Sequence, residues 1–70
     1  MNGKDLTSFL GNNGFYQNDT FFNRQDGDTT ARVTVLAQDR AEFMVIAKGV
    51  LVHNEVADLD RVAECIELYV

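Results

Sequence analysis

The sequence predicts an α+β domain in which a short N-terminal helix, a three-stranded antiparallel meander and a C-terminal amphipathic helix follow one another. Three observations support this. Apolar residues recur at helical spacing near both ends of the chain, β-branched and aromatic residues alternate between them, and Gly, Asn and Asp cluster at the expected reversals. We expect residues 1–70 to form one domain, with the C-terminal helix packed on one face of the sheet.

The first predicted element is a helix over residues 3–10. Leu6, Phe9 and Leu10 have the i, i+3, i+4 spacing that places three apolar side chains on one side of a helix. Gly11 is expected to end this helix, since the Gly- and Asn-rich stretch that begins there tolerates the positive φ of a cap and turn.

Strands are predicted over residues 20–24, 29–36 and 42–48, after extended chain that begins at Phe15. The Asn18-Asp19 pair either kinks its segment or makes a small hairpin. Asp26-Gly27 predicts a hairpin with a type I′ turn, because both residues accept positive φ. The next reversal is expected at Gln38-Asp39-Arg40.

The predicted sheet has one face for the helices and one that is unusually apolar. Alternation places Val33, Val35, Phe43 and Val45 on the covered face. It places Leu36, Met44 and Ile46 together on the other face, where antiparallel sheets usually carry polar residues. These three residues are candidates for self-association into a homodimer. The alternative is that strand twist or residues 15–22 bury them within the monomer.

The last predicted element is an amphipathic helix that begins near Asn54, a good N-cap, with Glu55 at the positive end of its dipole. Residues 49–52 are either the end of the preceding strand, bent at Gly49, or a short separate strand. The apolar positions at helical spacing are Val56, Leu59, Val62, Ala63 and Ile66.

Negative charge is concentrated in this last segment. Residues 1–54 carry six acids and five bases, net −1, whereas residues 55–70 carry five acids and one base, net −4, which together give −5. The predicted acidic helix face consists of Asp58, Asp60, Glu64 and Glu67. It either meets a basic surface on a larger partner, with charge guiding the encounter, or only keeps the protein soluble.

No catalytic, cofactor or metal motif is present in the sequence. Cys65 and His53 could form a nucleophilic pair, but nothing in the sequence specifies their contact, and one His with one Cys falls short of four zinc ligands. Asp26-Gly27-Asp28 is explained by its turn, and the carboxylates of Asp58-Leu59-Asp60 would diverge on a helix. We therefore expect a protein that is not an enzyme and that uses no cofactor or metal.

Cysteine usage and hydropathy indicate the compartment. Cys65 is the single cysteine, so no internal disulfide can form, as is usual in a reducing interior. The N-terminus has no apolar signal-peptide region, and no apolar run reaches the ~18 residues needed to cross a bilayer. A cytoplasmic protein without a membrane partner is expected.

The order helix, three strands, helix resembles that of double-stranded-RNA-binding domains and of HicA-type toxins. Those toxins are recognised by a histidine on a central strand, where this chain has Thr20-Phe21-Phe22-Asn23, and the RNA-binding domains use a basic patch. The resemblance covers element order alone and implies at most a degenerate nucleic-acid-binding domain. Direct nucleic-acid binding is not expected, because the bases are scattered along the chain.

Three functions are therefore predicted as alternatives. The first is a small acidic protein-binding module in the style of phage-encoded or mobile-element inhibitors, which occupies a basic, nucleic-acid-binding site on a larger protein. The second is a structural or assembly protein that acts as a homodimer through the outer sheet face. The third is the degenerate nucleic-acid-binding domain.

Overall fold

The computed structural model describes residues 2–69, and it places two helices on one face of a five-stranded antiparallel sheet. The elements in chain order are α1 (Gly3–Asn12), β1 (Tyr16–Asn18), β2 (Phe21–Asp26), β3 (Thr29–Ala37), β4 (Arg40–Ala47), β5 (Val50–Asp58) and α2 (Leu59–Tyr69).

The predicted α+β class and antiparallel meander are confirmed, but the predicted number of strands is wrong. The sheet order is β1-β2-β3-β4-β5, so every strand pairs with its neighbour in sequence. The two additional strands are β1, at the N-terminal edge, and β5, at the C-terminal edge. Of the two interpretations left open for residues 18–19, the hairpin is observed, since Asp19 adopts a φ of 60° between β1 and β2.

Helix α1 is two residues longer than predicted. Asn2 caps it by accepting a hydrogen bond from the Asp5 amide at 2.8 Å. Gly11 does not end the helix, because the chain remains helical to Asn12, where the amide and side chain of Asn13 both donate to the Phe9 carbonyl. These hydrogen bonds satisfy the last carbonyls of the helix in place of a glycine cap.

The tight turns between strands contain residues with a positive φ. In the β2–β3 turn Gly27 has a φ of 60° and Asp28 does not have a positive φ, so the predicted type I′ turn is wrong. Glycine at the first loop position is instead typical of type II′. The β4–β5 turn has both Lys48 (φ 54°) and Gly49 (φ 78°) in the left-handed region, as type I′ requires.

The boundary between β5 and α2 differs most from prediction. Residues 50–58 form one edge strand, so Asn54, Glu55 and Val56 are extended and Asn54 is not a helix cap. Asp58 has that role, since its Oδ1 accepts a hydrogen bond from the Arg61 amide at 2.8 Å. Pairing with β4 along the whole of β5 stabilises a strand here, although the apolar spacing from Val56 onward predicted a helix.

One hydrophobic core lies between the sheet and the two helices. The sheet contributes the predicted Val33, Phe43 and Val45, which are all buried, whereas Val35 lies beside a bulge near the end of β3 and is 38% exposed. The helices contribute Leu6, Leu10, Leu59, Val62, Cys65 and Ile66. Helix α2 packs on β4 and β5, and α1 packs against α2.

Neither of the two helices in residues 2–69 has the length and apolar character needed to cross a membrane.

Candidate functional site

The sheet face away from the helices is open, and its β4–β5 half is apolar. Register places Met44 opposite Arg32 on β3 and Asn54 on β5, and it places Ile46 opposite Leu51. Both Met44 and Ile46 are half-buried, and Leu51 is 54% exposed. Two of the three residues predicted for self-association therefore lie side by side on this face.

Leu36, the third predicted self-association residue, lies further along the sheet. It is the extra residue of the β3 bulge between Val35 and Ala37, and it is 55% exposed. It lies four residues beyond Arg32, which pairs with Met44. The bulge moves it towards the β3–β4 turn, so Leu36 extends the apolar surface instead of lying at its centre.

Strand β5 forms the exposed edge of the apolar half. Within residues 2–69 it pairs with β4 alone, so the backbone groups along its other side have no strand partner. Four of its apolar side chains are more than half exposed: Val50, Leu51, Val52 and Val56. Val52 is the extra residue of a second bulge, opposite Val45 and Ile46. We name the set Met44, Ile46, Leu51 and Val56 the open-face patch.

The other half of the open face is polar. The Arg32 guanidinium lies 4.5 Å from the centre of the Phe21 ring, and its Nε donates a hydrogen bond to Asn23 Oδ1 at 3.1 Å. The Arg32 guanidinium thus covers the ring of Phe21, which lies on β2. Apart from Leu36 on β3, the apolar part of the face therefore lies on β4 and β5.

The four predicted acidic residues do not form one equivalent surface. Asp58 ends β5 and caps α2, and Glu64 accepts a hydrogen bond from Arg61 Nη1 at 2.5 Å, so both of these carboxylates bind groups within the fold. Asp60, Glu64 and Glu67 are exposed along one stripe of α2 at i, i+4 and i+7 spacing. That stripe retains a net negative charge beside Arg61.

A polar cluster that the sequence did not predict joins β5 to α2 on the covered side of the sheet. Glu55 accepts hydrogen bonds from Arg61, with Nε to Oε2 at 2.8 Å and Nη2 to Oε1 at 3.4 Å. His53 Nε2 lies 3.2 Å from Glu55 Oε1, and Cys65 Sγ lies 3.9 Å from the same oxygen. The Tyr69 ring stacks on the imidazole of His53 at 4.6 Å between ring centres.

The ionisation of this cluster follows from its hydrogen bonds and burial. The hydrogen bond from Arg61 holds the pKa of Glu55 below its usual value, and the Glu55 and Glu64 carboxylates raise the pKa of Arg61. Burial, and then the charge of Glu55, raises the pKa of the Cys65 thiol. The carboxylate is ionised and the thiol protonated at neutral pH.

The structure thus brings His53 and Cys65 together, which spacing alone could not predict. A cysteine nucleophile requires an accessible thiolate, whereas Cys65 is 1% exposed and its pKa is raised. The arrangement favours packing or ligand binding over nucleophilic attack. His53 and Glu55 are two residues apart, so in a strand they point to the same face. This signal was missed because Glu55 was assigned to a helix.

Close to the C-terminal end of α2, a cavity of about 160 Å³ is lined by Arg24, Asp26, Thr29, Ala31 and Tyr69. Pockets for drug-sized ligands usually measure about 300–1,000 Å³. A cavity of this size suits water or a small ion better than an organic substrate.

The chain is thus a small α+β protein in which the helices cover one face of the sheet and the other face is open. Polar side chains join β5 to α2. Comparison with protein-family models, with curated proteins and with solved structures finds no match.

Proposed function

We propose that this chain is a non-enzymatic protein-binding module that works as a homodimer through the open face of its sheet. The observation that carries the proposal is the open-face patch, since the helices cover one side of the sheet and leave apolar side chains of β4 and β5 facing solvent. Contiguous apolar surface on a small protein usually marks an interaction site.

The charges of the open face favour a second copy as the occupant. Register places two bases and two acids on this face, Arg32, Arg40, Glu42 and Asp58, so its net charge is zero although the chain carries −5. The excess acid lies on α2, in the turns and at Glu55 on the covered side of β5, so two copies can meet face to face without bringing their negative surfaces together.

The small size of the chain gives a second reason to propose a homodimer. A 70-residue chain buries only about 60% of the surface that it exposes when unfolded, and many chains of this size gain stability by association. Covering the open-face patch would bury apolar area that the monomer leaves in water.

Sedimentation velocity at micromolar concentration tests this proposal. We expect the wild-type chain to sediment as a dimer and Met44→Asp to sediment as a monomer, because the new carboxylate would be desolvated in the interface. Leu68→Asp is the matched control, since it adds the same charge to an exposed position on α2 and should remain dimeric. A monomeric wild-type chain would overturn the proposal.

We further propose that the acidic stripe of α2, namely Asp60, Glu64 and Glu67, binds a basic surface on a larger partner, as an inhibitor of a nucleic-acid-binding site would. The stripe is exposed and lies on the opposite side of the sheet from the open-face patch, so both surfaces can be occupied together. Asp58 contributes less than the sequence predicted, because its carboxylate caps α2.

A synthetic Arg- and Lys-rich peptide, titrated over a range of salt concentrations, tests this second proposal. Wild-type binding should weaken steeply with salt, and Glu64→Lys/Glu67→Lys should abolish it. Asp28→Lys/Asp39→Lys has the same net charge but leaves the stripe intact, so it should bind like the wild type. Equal losses in the two double variants would mean that net charge alone attracts the peptide.

The degenerate nucleic-acid-binding domain is the alternative that we favour least. The resemblance that suggested it requires three strands, and the sheet has five. Arg32 stacks on Phe21 and Arg61 binds two carboxylates, so these two bases are already engaged within the fold. A mobility shift of double-stranded RNA at low salt would restore this alternative.

A further inference from the structure

Three potential metal ligands converge where β5 meets α2. One ligand atom each from His53, Glu55 and Cys65 lies within 4.8 Å of the other two. The shortest of these separations are 3.2 Å from Nε2 to Oε1 and 3.9 Å from Sγ to Oε1. Ligands bound to one tetrahedral ion at about 2.0–2.3 Å lie about 3.3–3.8 Å apart. The three atoms therefore need to move by an ångström or less to share an ion.

The hydrogen bonding of His53 points to a ligand independently of these distances. Its Nε2 is inaccessible to solvent and, among residues 2–69, makes no hydrogen bond of good geometry, although Glu55 Oε1 lies 3.2 Å away. A buried polar atom without a partner is costly and uncommon in folded proteins. An ion bound to Nε2 would remove that cost.

Glu55 is oriented as a ligand would be. Arg61 Nε donates to Oε2 at 2.8 Å, while Oε1 accepts only the longer hydrogen bond from Arg61 Nη2 at 3.4 Å and also lies close to His53 and Cys65. Ligating carboxylates are usually held by such outer hydrogen bonds. The charges also balance, since a divalent ion would be neutralised by Glu55 and a Cys65 thiolate, while Glu64 neutralises Arg61.

We propose that His53, Glu55 and Cys65 form a zinc site that joins β5 to α2. One nitrogen, one oxygen and one sulfur ligand are typical of Zn²⁺, with water in the fourth position. Glu55 is the most exposed of the three side chains. On binding, the Cys65 thiol releases its proton to the buffer and the sulfur binds as thiolate.

The site would act as a structural clamp. Because its ligands come from both sides of the β5–α2 boundary, a bound ion would link the edge strand to the helix that covers the core. An ion that binds the folded chain and not the unfolded chain raises stability by mass action.

Metal titration of the purified full chain, first stripped with a chelator, tests the proposal. With Zn²⁺ we expect one equivalent per chain and a higher melting temperature, and with Co²⁺ the absorption band of a thiolate–cobalt bond. Mg²⁺ should produce neither effect, because it prefers oxygen ligands. The absence of both the thiolate band and the thermal shift would overturn the proposal.

Two variants identify the ligands, and one serves as a control. Cys65→Ser should eliminate the thiolate band, and His53→Gln, at a half-buried position where folding can be verified by circular dichroism, should weaken Zn²⁺ binding at least ~10-fold. Asp26→Asn/Asp28→Asn removes two turn acids and should bind Zn²⁺ like the wild type. If His53→Gln folds and still binds Zn²⁺ with wild-type affinity, the site is not the one proposed.

Discussion

Glu55 shows how one side chain can depend on the fold for its role. Sequence patterns assigned it to a helix N-terminus, where its charge would interact with the helix dipole. In the folded chain it is a strand residue that receives hydrogen bonds from Arg61 in the first turn of α2. Its carboxylate therefore links β5 to α2 instead of stabilising the N-terminus of a helix.

This contact predicts a pH dependence of stability. The pKa of Glu55 is lower in the folded chain than its ordinary value of 4.5, mainly because Arg61 donates a hydrogen bond to it. The stabilisation is therefore complete above pH 4.5 and is lost as the pH falls through the lower, folded-state value. We expect Glu55→Gln to reduce stability at neutral pH and to lose less stability than the wild type on acidification.

Urea unfolding at neutral pH and at about pH 3, in buffer with a chelator, measures this effect. Glu67→Gln, at an exposed position on α2, is the control and should follow the wild type at both pH values. If Glu55→Gln retains the full acid sensitivity of the wild type, the Arg61 contact does not stabilise the fold.

At the scale of elements, the start of α2 is the feature that local sequence misplaced. The sequence predicts Asn54 as the N-cap, whereas in the fold the cap is Asp58, four residues later. The fold uses Asp58, because the preceding residues pair with β4 from Asp58 back to Val50. Capping preferences are worth about 1 kcal/mol, less than a strand of that length contributes through pairing and side-chain contacts.

The assignment of the cap predicts a specific loss of stability. Asp58→Ala removes the oxygen that accepts the Arg61 amide hydrogen bond and should cost about 0.5–2 kcal/mol in the free energy of unfolding. Asp58→Asn retains an acceptor oxygen and should cost much less. Chemical denaturation of the two variants distinguishes them, and equal losses would show that charge matters here and capping does not.

At the scale of the whole molecule, stability depends on a single core on one side of the sheet. A chain of 70 residues has a net stability of about 4–10 kcal/mol at ordinary values per residue. Small changes in the covered layer should therefore be measurable, while changes on exposed parts of the same helix should not.

Helix α2 offers a matched pair for this comparison. Ile66 is 1% exposed in the core, and Leu68, two residues further, is 69% exposed. Ile66→Val should lower the free energy of unfolding by about 0.5–1.5 kcal/mol, whereas Leu68→Ala should stay within about 0.5 kcal/mol of the wild type. Thermal or urea unfolding measures both, and a larger loss for Leu68→Ala would mean that another surface covers this residue.

Local sequence patterns are enough to predict the α+β class, the antiparallel meander and most of the core. These depend on local patterns, such as the helical spacing of Leu6 and Leu10 and the alternation that buries Val33, Phe43 and Val45. The sequence also identified Met44 and Ile46 as neighbours on the face away from the helices. Local spacing and alternation are sufficient because they fix which side of an element is apolar.

Long-range contacts settle that residues 54–58, predicted as the start of a helix, instead continue a strand that begins at Val50, and the composition of the candidate sites depends on this. As a strand this segment places His53 and Glu55 on the helix-covered side, where they meet Cys65, and places Leu51 and Val56 on the open side. Pairing with β4 joins residues up to 18 positions apart, as in Arg40 and Asp58, which is beyond the reach of helical spacing. Its free energy is not encoded in the local spacing, which suited a helix equally well.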